Sequence, residues 1–512
     1  MLAIAAVTIL LRVWFLPGAR EDRITPDGAR FLNLARCISR GEGFSTPEAW
    51  PAWLNPARLP APETFKEPGY PYAIAALTPI VRDPFRAALW ISLLAGLLLP
   101  FVVHALGRRL EPDPWVAWLA AMFAAASPVL IEQSVYVMAE SLFALLLLLS
   151  FLAAAPTSGD GRRFDQPPAA RPADFVAGIF FGLSFLVRGQ ALLAAPALVG
   201  LLWNAPAGRV RLRRLGAAAA GTLIAVAPFI ARNLRIFGSA FHSEVAAFGL
   251  WPYADQFQFT HSLARPPSAV GYALAHLPRV ARYAAHGLWR FARYSLPHDL
   301  LGHPSWLVPL AIGGVVALRR PRVWGFALGY PALTMAFILG VYWVARYFAS
   351  VAPLLCLIAG LGAALLLHSI ARAGAPRWVQ DVVVVALLLL GSRVPVSHAV
   401  GPAAPDFMPE LSGARHQAAF LRAHTRPDQA VMAEATSYWA WFSDRPAVHP
   451  VVADSASFEE VMRRLNVRYA ALPTSRLAEF AARYPGGRLP SALVFDHVDP
   501  ADDVTVFEVR PR

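Results

Sequence analysis

The sequence is poor in charge, lysine and cysteine. Charged residues make up 15% of its 512 residues and hydrophobic residues 56%, whereas soluble domains carry roughly 25% charged residues. Several apolar runs approach the roughly 20 residues that cross the hydrocarbon core of a bilayer. We therefore predict a polytopic α-helical membrane protein. With only Cys37 and Cys356, a cysteine-ligated metal cluster is excluded, and the apolar run around Cys356 argues against a disulfide.

The positive charge is carried almost entirely by arginine, because Lys66 is the only lysine in a chain of net charge +13. The arginines cluster in short loops between apolar runs, as at Arg108-Arg109 and Arg319-Arg320. This distribution is the positive-inside pattern of cytoplasmic loops. We attribute the charge to membrane topology and expect no nucleic-acid partner.

The apolar runs predict about eleven membrane-spanning helices in a plasma (inner) membrane protein. The predicted spans are residues 2–17, 85–106, 114–130, 138–155, 174–187, 189–204, 215–236, 305–318, 323–343, 347–370 and 379–395. The first has no basic region before it and no small-residue cleavage site after it, so we interpret it as a retained span. An odd number of spans puts the loops 18–84 and 238–304 and the C-terminal tail on one external, periplasmic face.

Two domains follow from this pattern. Residues 1–395 form the predicted transmembrane domain with its external loops, and residues 396–512 form a small external α/β domain of ordinary domain size. Short, turn-bounded segments predict the elements of the tail. The predicted helices are residues 412–424 and 458–465, and the predicted strands are residues 429–434, 469–472, 493–495 and 504–509.

A helix with clear start and stop signals lies in the first external loop. Thr25 suits the N-cap, Pro26 the first helical position and Gly41 the end of the helix. Asp27 lies in the first turn, at the head of the apolar stripe. It either complements the helix dipole or is a partly desolvated carboxylate with a pKa suited to proton abstraction.

The same loop ends with Lys66-Glu67-Pro68-Gly69-Tyr70-Pro71 at the edge of the next apolar segment. An ammonium group there can neutralise a phosphate at headgroup depth. The alternative is an interfacial ion pair with an aromatic anchor.

Further charges lie at the external ends of predicted spans. Glu140 opens the fourth span, and carboxylates at span edges are functional candidates. Arg188, Arg232 and the Arg346-Tyr347 pair also lie at external ends, where guanidinium groups suit phosphate geometry. Each arginine has the alternative role of a headgroup anchor. Residues 268–294 predict an amphipathic helix lying in the membrane interface.

These motifs resemble the GT-C superfamily of membrane glycosyltransferases over residues 1–370, and the tail resembles the external domain of such enzymes. The branch with protein O-mannosyltransferases, aminoarabinose transferases and rhizobial galacturonosyltransferases is the most similar. The resemblance is carried by Asp27 with Gly41-Glu42-Gly43-Phe44, Glu67-Pro68-Gly69-Tyr70-Pro71, Glu140 after Ser127-Pro128, Gly182-Leu183 before Arg188, Arg232-Asn233 with Phe237-Gly238, and Arg346-Tyr347 with Pro353. The chain departs from the family at Gly28, where many members have a second acidic residue, and at Glu67, where relatives often have lysine.

The resemblance implies inverting transfer of a sugar from a polyprenyl-phosphate donor to a lipid, glycan or protein acceptor at the external face. Asp27 would be the general base. The implied donor-phosphate ligands are Lys66, Arg188, Arg232, Arg346 and Tyr347. Glu67, Glu140 and Tyr70 are candidates for binding the acceptor or a metal, and Asp27 with Glu140 is the candidate pair for a divalent cation.

Three alternatives remain open. A transporter or flippase of lipid-linked saccharides would place ionisable or helix-breaking residues at the bilayer midplane, related between two halves. Here the charges gather at one face and no internal repeat is found. An O-antigen ligase or polymerase would more typically centre its chemistry on the later external loop. A catalytically inactive relative is the third alternative.

Overall fold

The computed structural model describes residues 1–155, 172–203, 208–244, 260–265, 269–341, 345–391 and 408–511. Most of this part of the chain is helical. The α-helices are α1 (Leu2–Phe15), α2 (Pro26–Ser39), α3 (Gly69–Val81), α4 (Pro84–Leu110), α5 (Pro114–Ala126), α6 (Pro128–Val135), α7 (Glu140–Ala154), α8 (Pro172–Val187), α9 (Ala195–Trp203), α10 (Gly208–Phe237), α11 (Ala269–Ala275), α12 (Leu277–Arg290), α13 (Leu307–Arg319), α14 (Pro321–Val341), α15 (Ala352–Arg372), α16 (Arg377–Gly391), α17 (Met408–His416), α18 (Ala418–His424), α19 (Thr436–Ser443), α20 (Ser455–Arg464) and α21 (Leu477–Arg483).

The strands are short and belong to the first external loop and to the C-terminal part of the chain. They are β1 (Ser45–Thr46), β2 (Glu48–Ala49), β3 (Ala61–Pro62), β4 (Ala430–Ala433), β5 (Ala447–Val448), β6 (Val467–Pro473), β7 (Leu493–Asp499) and β8 (Val504–Val509).

The predicted apolar segments are mostly helical over their described residues, although segment 114–130 is broken at Ser127 and segment 347–370 begins with a 3₁₀ turn before α15. By length and composition, three helices among the described residues can cross a membrane (α4, α10 and α15), or up to five if each of two bent pairs forms one span. Helices such as α1, with 14 residues, fall short of the roughly 20 residues that a span needs. The prediction of about eleven spans is therefore not confirmed.

Glycines let the long helices pack closely. A Cβ atom on Gly178 of α8 would lie 1.9 Å from the carbonyl oxygen of Ala218 on α10. A Cβ atom on Gly362 of α15 would lie 1.8 Å from the carbonyl oxygen of Pro309 on α13. Small residues of this kind are what membrane helices use to bring their backbones together.

Helix α2 forms as the sequence predicts. The Thr25 side chain accepts a hydrogen bond from the Gly28 N–H at 3.0 Å, and Pro26 occupies the first helical position. After the helix, Gly41 adopts a φ of +79°, a left-handed conformation that favours glycine. The apolar stripe of α2, including Phe31 and Leu34, is buried. Asp27 is thus held in the first turn of a well-anchored helix.

One six-stranded sheet joins the loop between α1 and α3 to the C-terminal residues. Its strand order is β2-β5-β4-β6-β8-β7. Strand β2 pairs in parallel with β5, with Glu48 opposite Ala447, while β6, β8 and β7 are antiparallel. Segments that the sequence analysis assigned to two different domains therefore share one sheet.

The predicted elements of the C-terminal part are found, with differences. The predicted helix 412–424 is two helices, α17 and α18, which are separated at Gln417. Helices α19 and α21 and strand β5 were not predicted. The predicted amphipathic helix consists of α11, α12 and a π-helical segment, Phe291–Leu300, and residues 266–268 lie outside the described part of the chain. Residues 396–407, at the start of the predicted external domain, also lie outside it.

The close approach of α13 and α15 can be tested by adding a methyl group. Gly362→Ala should destabilise the protein by about 1–3 kcal/mol, because overpacking must push the helices apart. Gly216→Ala in α10 is the matched control, since its new Cβ meets no atom of the described residues within 4 Å. It should be neutral or slightly stabilising, because alanine is the better helix former. Thermal unfolding in detergent measures both, and equal behaviour of the two variants would contradict this packing.

Candidate active site

The Asp27 carboxylate is shared between two cations from distant parts of the chain. Lys66 Nζ donates to Oδ1 at 2.7 Å, and Arg346 Nη2 donates to Oδ2 at 2.5 Å. The Asp27 side chain is 24% exposed. The start of α2, the end of the first loop and the segment after α14 therefore meet at one half-buried carboxylate.

A second carboxylate lies beside this ion triad. Glu140, at the start of α7, is buried and contacts Arg188 Nη2 through Oε1. The Tyr347 ring lies next to both arginines, with its centroid 5.3 Å from Arg188 Cζ and 5.4 Å from Arg346 Cζ. Such contacts are favourable cation–π interactions. We call Asp27, Lys66, Glu140, Arg188, Arg346 and Tyr347 the Asp27 cluster.

Glu67 supports the cluster from the side. Its Oε1 accepts a hydrogen bond from the Gly189 N–H at 2.7 Å, directly after Arg188. A Cβ atom on Gly189 would lie only 2.9 Å from this oxygen, so glycine allows the close approach. Burial raises the pKa of Glu67. This side chain fixes the backbone that carries Arg188.

Two predicted site residues are placed differently. Tyr70 is fully buried, and its hydroxyl group hydrogen-bonds to Ser92 Oγ at 2.8 Å in the packing of α3 against α4. Arg232 donates to the carbonyl oxygens of Phe44 at 2.9 Å and Glu63 at 3.2 Å. Among the described residues, Tyr70 thus belongs to the interface between α3 and α4, and Arg232 binds carbonyl groups of the loop before α3. We leave both out of the site.

The electrostatics of Asp27 differ from the sequence-based expectation. Burial alone raises its pKa, but the positive charges of Lys66 and Arg346 outweigh burial and hold the pKa well below its usual range. Although burial lowers the pKa of Arg346, the charge of Asp27 raises it above the ordinary arginine value. The expectation of a pKa suited to proton abstraction is therefore wrong while both cations contact Asp27.

The charge balance favours an anion. Three cations, Lys66, Arg188 and Arg346, are paired with only two carboxylates, Asp27 and Glu140. The third carboxyl group nearby, Glu67, has its pKa raised by burial and binds the Gly189 N–H instead. Two buried nitrogen atoms, Nε of Arg188 and Nε of Arg346, have no hydrogen-bond partner among the described residues. A phosphate offers the acceptor oxygens that such donors require.

A metal ion fits the Asp27 cluster less well. Both oxygens of Asp27 accept from cations, and Glu140 is paired with Arg188 through Oε1, so that of these carboxylate oxygens only the buried Oε2 of Glu140 is left without a partner among the described residues. Among the described residues, three metal-ligating side chains with atoms within 4.8 Å of one another occur elsewhere, at His416, Asp499 and Asp502.

The protein resembles known membrane transferases in sequence and in structure. The family model described as dolichyl-phosphate-mannose-protein mannosyltransferase matches residues 62–232. The Archaeoglobus fulgidus oligosaccharyltransferase in complex with Zn and sulfate is 15% identical, with a TM-score of 0.59 over 99% of this chain and 73% of that one. ArnT from Cupriavidus metallidurans is 14% identical in its apo state, with a TM-score of 0.57 over 99% of this chain and 97% of that one.

A second ArnT structure from the same organism is bound to undecaprenyl phosphate. It is 14% identical and has a TM-score of 0.52, again over 99% of this chain and 97% of that one. The chain has the GT-C fold. No curated protein matches it in sequence.

Two buried carboxylates next to Lys66 and Arg30 were not among the site residues predicted from the sequence. Glu63, three residues before Lys66, is 1% exposed and binds Arg30. Glu48 is also 1% exposed and accepts hydrogen bonds from Asn33 at 2.9 Å and Ser437 at 2.6 Å. The sequence offered one signal, the position of Glu63 three residues before Lys66. The partners of Glu63 and Glu48 could not be predicted, because the fold brings them together.

The ion triad predicts a defined pH dependence of stability. A depressed pKa stabilises the folded state above the pKa of an unfolded aspartate, about 3.9, and this stabilisation is lost as the pH falls further. Asp27→Asn should therefore unfold several degrees below wild type from pH 8 to about pH 5. The difference should shrink below about pH 4.

Thermal unfolding in detergent across this pH range measures the effect. Arg346→Gln removes one of the two cations and should weaken the pH dependence. Parallel wild-type and Asp27→Asn curves down to about pH 3 would show that no cation stabilises the charged form of Asp27.

Proposed function

We propose that the protein is an inverting glycosyltransferase. It transfers a hexosyl or pentosyl group from a polyprenyl-phosphate donor to a lipid, glycan or protein acceptor at the external face of the plasma membrane. Asp27 is the general base. The observation that carries this proposal is the half-buried Asp27 carboxylate between Lys66 and Arg346, with Arg188 alongside.

The donor phosphate binds first, at the cations of the Asp27 cluster. Lys66, Arg188 and Arg346 supply more positive charge than Asp27 and Glu140 neutralise. The buried guanidinium nitrogens without partners supply the hydrogen bonds. The ArnT structure with undecaprenyl phosphate, which shares the fold, supports a lipid-phosphate ligand.

Phosphate binding prepares Asp27 as a base. When Lys66 and Arg346 turn to the phosphate, Asp27 loses the two charges that hold its pKa low. The effect of burial remains, and burial raises the pKa of a carboxyl group. Asp27 then becomes basic enough to accept a proton only once the donor is in place.

The transfer step breaks one bond and forms another. The acceptor hydroxyl oxygen attacks the anomeric carbon, and its proton moves to Asp27. The bond from the anomeric carbon to the phosphate oxygen breaks, and the polyprenyl phosphate leaves with the electron pair. Lys66, Arg188 and Arg346 stabilise the negative charge that develops on it.

The neighbouring residues keep the cations in place. Glu140 orients Arg188, and Tyr347 lies next to the guanidinium groups of Arg188 and Arg346. Glu67 fixes the backbone at Gly189. All of these groups lie at one end of the helices, which supports chemistry at the membrane surface over transport across it.

Asp27→Asn should lower sugar transfer about 10²–10⁴-fold, the usual contribution of a general base. The assay supplies radiolabelled polyprenyl-phosphate sugars and a membrane lipid extract to the purified protein. Glu244→Gln is the matched control, because Glu244 pairs with Arg265 in the second external loop; its transfer rate should equal that of wild type. Equal transfer by wild type and Asp27→Asn would remove Asp27 from the mechanism. Absence of transfer together with movement of sugar lipids across vesicles would favour a flippase.

Because Lys66 is the only lysine, its acylation reports on the phosphate site directly. Undecaprenyl phosphate at ten times its Kd should slow the acylation of Lys66 about tenfold, since only the unbound fraction reacts. Peptide mass spectrometry separates Lys66 from the N-terminal amine. Undecaprenol, which lacks the phosphate, should give no protection. Equal protection by both lipids would contradict a phosphate contact at Lys66.

A further inference from the structure

A second ion pair lies directly behind Asp27 and Lys66. Arg30 Nη2 donates to Glu63 at 2.9 Å and 3.0 Å, and Arg30 Nε donates to the same carboxylate at 3.3 Å. Both residues are buried, with Arg30 3% and Glu63 1% exposed. Water is therefore excluded from this pair.

Glu63 also organises the backbone that leads to Lys66. Its Oε1 accepts hydrogen bonds from the N–H groups of Thr64 at 3.1 Å, Phe65 at 2.6 Å and Lys66 at 3.0 Å. A carboxylate that binds three successive N–H groups fixes the local turn. The position of the Lys66 backbone therefore depends on Glu63.

The two ion pairs have matching spacing. Arg30 follows Asp27 by three residues on α2, so both side chains lie on one face of the helix. Glu63 precedes Lys66 by three residues in the facing segment. The Arg30–Glu63 pair and the Asp27–Lys66 pair thus connect the same two segments, with their charges in opposite order.

We propose that Arg30 and Glu63 are positioning residues that set the distance between Asp27 and Lys66, and so the geometry of base and phosphate ligand. This inference rests on the proposed function. Neither residue touches the reacting atoms; they act through the residues three positions away.

The surroundings of Arg30 support a positioning role. Its guanidinium group lies against the rings of Trp50 and Phe65, whose centroids are 5.8 Å and 5.3 Å from Arg30 Cζ and 5.6 Å from each other. Glu48 lies 3.8 Å from Arg30 Nη1 and is itself bonded by Ser437 of α19. A buried ion pair is a poor source of net stability, because desolvation offsets its attraction. The Arg30–Glu63 pair instead fixes the position of α2 relative to the segment that carries Lys66.

Neutralising Glu63 disturbs Asp27 through Arg30. Arg30 already interacts electrostatically with Asp27. Without the negative charge of Glu63, the Arg30 cation has Asp27 and Glu48 as its remaining negative neighbours. Asp27 is then drawn away from Lys66, and the Lys66 backbone loses the acceptor charge that fixes its turn.

The test compares wild type, Glu63→Gln and the double variant Arg30→Met, Glu63→Leu, which keeps the volume but removes both charges. Acylation of Lys66 should be roughly tenfold faster in both variants, because loss of one ion pair of ordinary strength corresponds to about this factor. The kcat of transfer should fall at least as much, with a smaller change in KM, and the pH profile of kcat should shift. The double variant should pack like wild type, because it keeps the side-chain volume, but its kcat should stay low.

Asp174→Asn is the matched control. It breaks another buried ion pair, in which Arg214 Nη2 donates to Asp174 at 2.9 Å on α8 and α10. It should lower the unfolding temperature as Glu63→Gln does, but leave Lys66 acylation and kcat within about twofold of wild type. A double variant with wild-type acylation and wild-type kcat would overturn the positioning role. Absence of transfer by wild type with every donor would overturn the proposed function instead, while the acylation comparison would still test the Arg30–Glu63 pair.

Discussion

The ion triad of Lys66, Asp27 and Arg346 is the interaction on which the account depends. It joins three segments, and Arg346 lies 319 residues from Asp27 in the sequence. The same contacts make Asp27 a weak base in the free protein, because they hold its pKa low. An anion that competes for the two cations therefore changes both the geometry and the basicity of the carboxylate. Under the proposed function, donor binding and base activation would be one event, which would protect the site from unproductive proton transfer.

Buried polar contacts of Arg30, Glu63 and Glu48 hold the segments that carry Asp27 and Lys66. Helix α2 carries Asp27 on its first turn and Arg30 one turn later, where Glu63 binds it. Glu48 extends the contacts to Ser437 on α19 and belongs to strand β2, which pairs with β5. The C-terminal residues therefore hold the helix that carries the proposed base. In this arrangement the C-terminal part of the chain is a structural component of the site as well as a neighbour of it.

The sequence predicted the local features of the site better than its long-range ones. Asp27 could be placed because Thr25 and Pro26 are strong start signals for a helix, and Lys66 stood out as the only lysine. The position of Arg346 between two apolar runs indicated an external helix end but not its contact with Asp27. Because this contact helps to lower the pKa of Asp27, that pKa was predicted wrongly. The role of Glu63 depends on pairing between segments, which no periodicity reveals. The short strands β2 and β5 were missed for the same reason, since two residues acquire strand geometry only through their partners.

If a lipid phosphate takes the two cations from Asp27, the pKa of Asp27 should rise. Infrared difference spectroscopy measures this directly, in protein carrying ¹³C-carboxyl aspartate, with Asp27→Asn spectra subtracted to isolate the one carboxyl group. Titration with and without undecaprenyl phosphate should show the Asp27 carboxylate protonating at a higher pH when the lipid is bound. A midpoint that stays unchanged or falls on binding would contradict the account.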